Sequence, residues 1–312
     1  MRVVFMGTPA FAVPALRHLV LDRYQMVAVY TQPDRPAGRG RPAAPSPVKV
    51  AAQACGLPVV QPESLKEDGA AAQLAGFQPD TIVVAAFGQL LPRAVLEIPH
   101  LGCLNIHPSL LPRFRGASPV ASAILAGDDF AGASIMMLDE GMDSGPLLSR
   151  AAVAVSMWDD TGSLSAKLAQ VGAWLLTEVL ERWARHEIVP RPQDEAEAIY
   201  CRPLAKEEGE IDWRLPAVTI WRRVRAFNPW PGCYTRLGGR LLRVLEALPL
   251  PAAQGVAVGQ VVARDGSPAA FGVGTGDGVL GISKVQLEGR RAMTADEFLR
   301  GQRQFVGAVL PG

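Results

Sequence analysis

Short apolar runs alternating with helical stripes dominate the first 185 residues of the 312-residue chain. Val3 to Met6 reads as a short buried strand, Met26 to Tyr30 and Leu57 to Val60 as further strands, and Thr81 to Phe87 as the central strand, its lack of polar alternation suggesting burial on both faces. Gly7-Thr8-Pro9 turns the first of them into a helix predicted over Ala10 to Leu21, with Val13, Leu16, Leu19 and Val20 as its apolar positions. Ser46 is placed to cap a helix over Val48 to Cys55, a polar helix is expected from Ser64 to near Gly76, and a short one over Pro92 to Leu96. Gly102 to Ile106 reads as a strand, and Ser118 as the cap of a helix from Pro119 to Leu125. Phe130 to Leu138 and Leu147 to Val155 read as a hairpin. A long helix over Gly162 to Arg185 carries the stripe Leu164, Leu168, Val171, Leu175 and Val179, with Trp174 and Trp183 expected near the core. Strand, helix, strand in repetition is the pattern of an α/β domain built on a parallel sheet.

After Ile188 the pattern changes. Residues 188–205 are polar and proline-punctuated and are expected to link a domain over 1–187 to one over 206–312. A helix is predicted from Pro216 to Phe227, stopped by Asn228-Pro229-Trp230-Pro231-Gly232. Five short alternating segments follow: Cys233 to Leu237, Arg240 to Leu248, Gly259 to Ala263, Ala270 to Gly274 and Gly278 to Val285. They suggest a small barrel, of which the five-stranded open barrel that binds oligonucleotides is one candidate. Thr294-Ala295-Asp296-Glu297 is expected to cap a last helix, Phe298 to Phe305.

Composition narrows the class. No apolar run approaches the ~20 residues that span a membrane. MRVVFMG leads directly into a strand with no secretory pattern, and Cys55, Cys103, Cys201 and Cys233 are scattered, so a reducing cytoplasm is expected, with neither a disulfide framework nor a zinc site. The net charge of +1 hides an asymmetry. Residues 1–205 carry 17 Lys+Arg against 20 Asp+Glu (−3), and residues 206–312 carry 14 against 10 (+4). A positive C-terminal part hints at an anionic partner such as nucleic acid, although charge alone favours a solvated surface with a mild bias.

Candidate chemistry concentrates in Asn105-Ile106-His107-Pro108-Ser109-Leu110-Leu111-Pro112-Arg113-Phe114-Arg115-Gly116. Asn105 and His107, two apart at a strand's carboxyl end, face one side, where open α/β sheets bind ligands. An amide beside an imidazole is suited to stabilising an oxyanion, but the spacing also fits two ordinary polar groups. Asp143, in the turn-rich segment 139–146, is placed either to return a carboxylate to His107 or merely to turn the chain. The loop 32–47, with five prolines, two glycines and three arginines, suits phosphate contacts or simple solvation. Gly7 lacks companion glycines, which weakens a dinucleotide reading.

N-I-H-P-S-L-L-P-R-F-R-G at 105–116, G-M-D-S-G at 141–145 and R-A-F-N-P-W-P-G at 225–232 together resemble the methionyl-tRNA formyltransferases, a branch of the folate-dependent formyltransferase family, over essentially the whole chain. The loop Q-P-D-R-P-A-G-R-G-R-P at 32–42 looks like the tRNA-engaging insertion of that branch. The resemblance implies an α/β, Rossmann-like formyltransferase domain followed by a smaller OB-like β-barrel domain. It implies 10-formyltetrahydrofolate as formyl donor, no metal, and the α-amino group of methionine on charged initiator tRNA as acceptor. By motif, Asn105, His107 and Asp143 would be catalytic. Ser109, Leu110, Leu111 and Pro112 would belong to the folate site, and Arg35, Arg39 and Arg41 would meet the tRNA. A cytoplasmic monomer with no membrane association is expected.

Overall fold

The computed structural model describes residues 1–36, 43–264, 269–302 and 304–312. The chain divides into two compact units. One comprises Met1–Pro119, Phe130–Ala154 and Ser165–Cys201, the other Val120–Asp129, Val155–Leu164 and Arg202–Gly312.

The elements of the first part, in chain order, are β1 (Arg2–Gly7), α1 (Val13–Leu21), β2 (Gln25–Tyr30), β3 (Arg35–Pro36), β4 (Ala43–Ala44), α2 (Pro47–Ala54), β5 (Val59–Val60), α3 (Ala70–Gly76), β6 (Thr81–Ala85), α4 (Arg93–Leu96), β7 (Cys103–His107), β8 (Arg115–Gly116), α5 (Pro119–Ala126), β9 (Phe130–Met137), β10 (Leu147–Ala154), α6 (Thr161–Ala184) and β11 (Tyr200–Cys201). Seven of the strands form one sheet in the order β10-β9-β7-β6-β1-β2-β5. Neighbours from β7 to β5 are parallel, whereas β9 runs antiparallel to β7 and β10 antiparallel to β9.

Both faces of the sheet are covered at its centre, which is why β1 and β6 read as nearly unbroken apolar runs, whereas the edge strand β10 alternates half-buried with exposed residues. Val3, Phe5, Val83, Leu104 and Ile106 pack on one face with Leu16 and Leu19 of α1, Val48 of α2 and Leu176, Val179 and Leu180 of α6. Val4, Met6, Ile82, Val84 and Cys103 pack on the other with Leu65, Leu74 and Val95. Gly172 lets α6 approach β7 closely, since a Cβ there would lie 2.6 Å from Ile106 Cγ2.

Some helices depart from the sequence pattern. Residues 64–69 turn rather than wind, and α3 starts only after Gly69, whose φ of +86° a helix cannot accommodate. Trp174, expected near the core, is 58 % exposed on α6, whereas Trp183 is held by a 2.8 Å bond from its indole N–H to the Leu101 carbonyl. Ser46 caps α2 as expected, accepting from the Lys49 N–H at 3.0 Å.

In the second unit, α7 (Ala217–Ala226) precedes β12 (Cys233–Leu237), β13 (Arg240–Leu250), β14 (Val261–Ala263), β15 (Phe271–Gly274), β16 (Val279–Leu287), β17 (Met293–Thr294) and α8 (Ala295–Gly301). The strands form a barrel-like antiparallel sheet, β12-β13-β16-β15-β14, with β17 beside β16. Gly238 and Gly239, both at positive φ, supply the two-residue turn between β12 and β13. The sixth strand, β17, is two residues long and has no alternation to read. Thr294 and Glu297 form a reciprocal capping box, so α8 starts at Ala295 and ends at Gly301, earlier than predicted. The R-A-F-N-P-W-P-G segment anchors its own unit: the Arg225 guanidinium donates to the Ser156 and Asp159 carbonyls at 2.7 Å each, and the Asn228 amide to Asp160 at 2.6 Å.

Candidate active site

Strand β7 alternates its residues between the two faces of the sheet. Leu104 and Ile106 enter the α6 side, so Cys103, Asn105 and His107 share the other. Cys103 still lies in the apolar layer, and the polar pair follows at the carboxyl end. The strand order reverses between β1 and β6, so the carboxyl ends of these central strands border the crevice where such sheets take ligands. Nearby, the Thr8 hydroxyl donates to the Phe87 carbonyl at 2.9 Å and ties the ends of β1 and β6 together.

Asn105 is 8 % exposed, and its side-chain amide has no hydrogen-bond partner among the described residues. The amide is largely shielded yet still open to the crevice, so it is free to meet a ligand carbonyl. His107 is 4 % exposed. Its Nε2 lies 3.0 Å from the Phe114 carbonyl, which can only accept, so Nε2 carries a proton and Nδ1 remains for chemistry. Nδ1 faces Asp143 Oδ2 at 3.6 Å. That oxygen also accepts from the Gly116 N–H at 2.8 Å. Asp143 holds the left-handed φ of +52°, uncommon for a side-chain-bearing residue.

The structure thus brings Asn105, His107 and Asp143 together. The segment 109–112 is internally bonded. The Ser109 hydroxyl donates to the Arg113 carbonyl at 2.6 Å, and its carbonyl accepts from Ser134. The Leu111 N–H donates to Ser134 Oγ, and its carbonyl accepts from Arg150 at 2.6 Å. Leu110 packs over Gly132. Ser109, Leu110, Leu111 and Pro112 therefore offer a wall rather than free polar groups. Arg35 is exposed on β3, which pairs with β4, and Lys49 and Gln61 hold the adjacent Asp34 at 2.6 and 2.8 Å. Those bonds draw the Asp34 carboxyl below its ordinary pKa, the Lys49 bond contributing most. Arg39 and Arg41 lie outside the described residues.

Two residues with no marked role in the sequence pattern join the site. Arg115 is fully buried, and its guanidinium bonds both Glu195 oxygens at 2.8 and 2.9 Å, the Tyr200 hydroxyl at 3.0 Å and Gln193 Oε1 at 3.1 Å. The Gln193 amide donates to the carbonyls of Asp143 at 2.8 Å and Gly145 at 2.7 Å. Residues 191–201 thus do more than connect: β11 pairs with β8, and Arg191 exchanges backbone bonds with Leu147. A buried guanidinium demands partners, but its burial is not legible in the residue type, so Arg115 gave no signal beyond its place in the 105–116 stretch. Gln193, 50 residues beyond Asp143, gave none.

Among the described residues, no group of three or more His, Cys, Asp or Glu is placed to hold a metal ion. No helix among them is long and apolar enough to cross a membrane.

The Formyl transferase family matches residues 1–180, and the family described as Formyl transferase, C-terminal domain, matches residues 203–303. The chain is 49 % identical over 312 residues to a methionyl-tRNA formyltransferase of Dehalococcoides mccartyi, covering 99 % of this chain and 98 % of that one. It is 50 % identical over 303 residues to one of Chloroflexus aggregans, covering 96 % and 97 %. In fold it is similar to HypX from Aquifex aeolicus, solved in complex with tetrahydrofolic acid, with a TM-score of 0.63 at 20 % identity. That match covers 98 % of this chain but about half, 48 %, of HypX. With both domains matched and full-length relatives at half identity, the chain belongs to the formyl transferase family.

Proposed function

We propose that this chain transfers the formyl group of 10-formyltetrahydrofolate to the α-amino group of methionine on charged initiator tRNA. The observation that carries the site reading is the unpartnered Asn105 amide beside the His107–Asp143 pair at the end of β7. The amine nitrogen bonds the formyl carbon, the bond from that carbon to the folate nitrogen breaks, and a proton moves from the amine to that nitrogen. Negative charge gathers on the formyl oxygen. Asn105 donates to it, and Nδ1 of protonated His107 is the second donor. The Asp143 carboxylate stabilises the imidazolium across its 3.6 Å gap and receives the amine proton directly or through a water.

Ser109, Leu110, Leu111 and Pro112 shape the folate side of the site. Arg35, Arg39 and Arg41 meet the acceptor end of the tRNA, where phosphate contacts weaken as salt rises. The catalytic domain is 1–187 completed by residues 191–201 of the linker 188–205, and 206–312 is the tRNA-binding domain, the whole acting as a cytoplasmic monomer in translation initiation. The test is formyl transfer to charged initiator tRNA, with charged elongator methionine tRNA and a nucleotide-linked amino sugar alongside. Transfer to the initiator alone supports the assignment. Transfer only to the sugar, or to neither tRNA, refutes the acceptor.

A further inference from the structure

We propose that Gln193 is a positioning residue for the transfer, fixing the turn that aims the Asp143 carboxylate at His107. The inference rests on the site reading above, in which Asp143 is the partner of His107. Asp143 sits in a left-handed conformation, which aspartate reaches more readily than most side-chain-bearing residues and which its surroundings here impose. Gln193 supplies that imposition. Its single amide nitrogen bonds the carbonyls of Asp143 and Gly145, two residues apart, at 2.8 and 2.7 Å. Both carbonyls can converge on one nitrogen only while the turn is formed.

The amide oxygen is fixed in turn by Arg115 Nε at 3.1 Å. Both donors and the acceptor of Gln193 are thus engaged, and the partner that orients it is a guanidinium with no access to water. Glu195 and Tyr200 hold the rest of that guanidinium. The next residue, Gly116, holds the carboxylate itself through its N–H. Turn backbone and carboxylate are therefore secured from two adjacent residues, Arg115 acting through Gln193 and Gly116 acting directly. Loss of the Gln193 donors frees the turn, and with it the aim of the Asp143 carboxylate, while the chemical groups of Asp143, His107 and Asn105 are all retained.

The experiment measures steady-state formylation of charged initiator tRNA, at varied folate and tRNA, by the full chain and by Gln193→Met, which keeps the length and loses every hydrogen bond. It is repeated in an Asp143→Asn background. A displacement of this kind is expected to lower kcat about 10- to 100-fold while KM for the folate and for the tRNA stays within about twofold. The loss should largely vanish in the Asp143→Asn background, because Gln193 acts through that carboxylate. An equal loss in both backgrounds, or a rise in both KM values at unchanged kcat, overturns the proposal. Gln193→Glu keeps an acceptor for Arg115 and lacks the donors, so it must fall as Gln193→Met does, and wild-type turnover from it overturns the proposal even if Gln193→Met fails to fold. Should Asp143→Asn alone turn over normally, the underlying site reading fails. Should Asp143→Asn be inactive while Gln193→Met is silent, only the role of Gln193 fails.

Discussion

Replacing Asn105 by alanine should move activity and stability in different directions. In the folded chain the Asn105 amide bonds nothing among the described residues, so the substitution breaks no native hydrogen bond. An unpaired amide at 8 % exposure carries part of the desolvation penalty of about 1–3 kcal/mol, and alanine removes it. Asparagine and alanine are both poor strand formers, so backbone preference nearly cancels on β7. Stability should therefore hold or rise by up to about 1 kcal/mol, an upward Tm shift of no more than roughly 3 °C. The transition state loses a donor worth roughly 3–4 kcal/mol, and kcat should fall about 10²- to 10³-fold. Single-turnover formylation at saturating folate and tRNA, paired with a thermal melt, reads both. A kcat within threefold of wild type would refute the role. A Tm fall of about 4 °C or more would show instead that the amide holds the fold.

Further predictions follow from packing and charge. Gly172→Ala gains about 1 kcal/mol in helix preference but drives a methyl 2.6 Å from buried Ile106, between Asn105 and His107, at an overpacking cost of about 1–3 kcal/mol. A denaturant melt should show net destabilisation with lowered turnover, and a stabilised, fully active variant would contradict it. Burial pushes the Cys103 and Cys233 thiols up to about 12, whereas Cys55 is exposed. Mass spectrometry after brief alkylation of the native chain at pH 8 should find Cys55 labelled first and those two protected. The bond from Arg115 holds the Glu195 carboxyl below its ordinary value of 4.5, so the pair contributes fully above that pH and is lost as pH falls through the lowered value. Protection from hydrogen exchange across 191–201, corrected for the intrinsic pH trend, should be unchanged from pH 7 to 5 and fall below about 4.5.

The parallel core was legible because both of its faces are covered. Val3 to Met6 and Thr81 to Ala85 show burial directly, the second strand stopping two residues short of the predicted Phe87, and the carboxyl-end position of Asn105 and His107 followed from the pattern. The stripe on α6 was visible through Leu168, Leu175 and Val179. What escaped had no period to read. β8 and β11 are two residues each, held by pairing between segments 85 positions apart. Trp174 shows the opposite limit: helical spacing placed it near an apolar stripe, but it falls on the face of α6 opposite Leu168, Leu176 and Val179 and lies in solvent. At the site, Asp143 was open to two readings, since an aspartate in a turn is ordinary. Only its 3.6 Å approach to His107 separates them, and that approach depends on Gln193, a polar residue in a stretch resembling any linker.

The pairing of β8 with β11 restricts where the chain can be cut and rejoined. A chimera that exchanged the C-terminal domain at residue 187 would import foreign side chains at 193, 195 and 200 and leave the buried Arg115 to whatever partners arrived with them. A junction after Cys201 keeps the ladder, the guanidinium and its acceptors from one parent. Recombination between relatives should therefore succeed on one side of this segment and fail on the other, although the two crossover points lie only 14 residues apart.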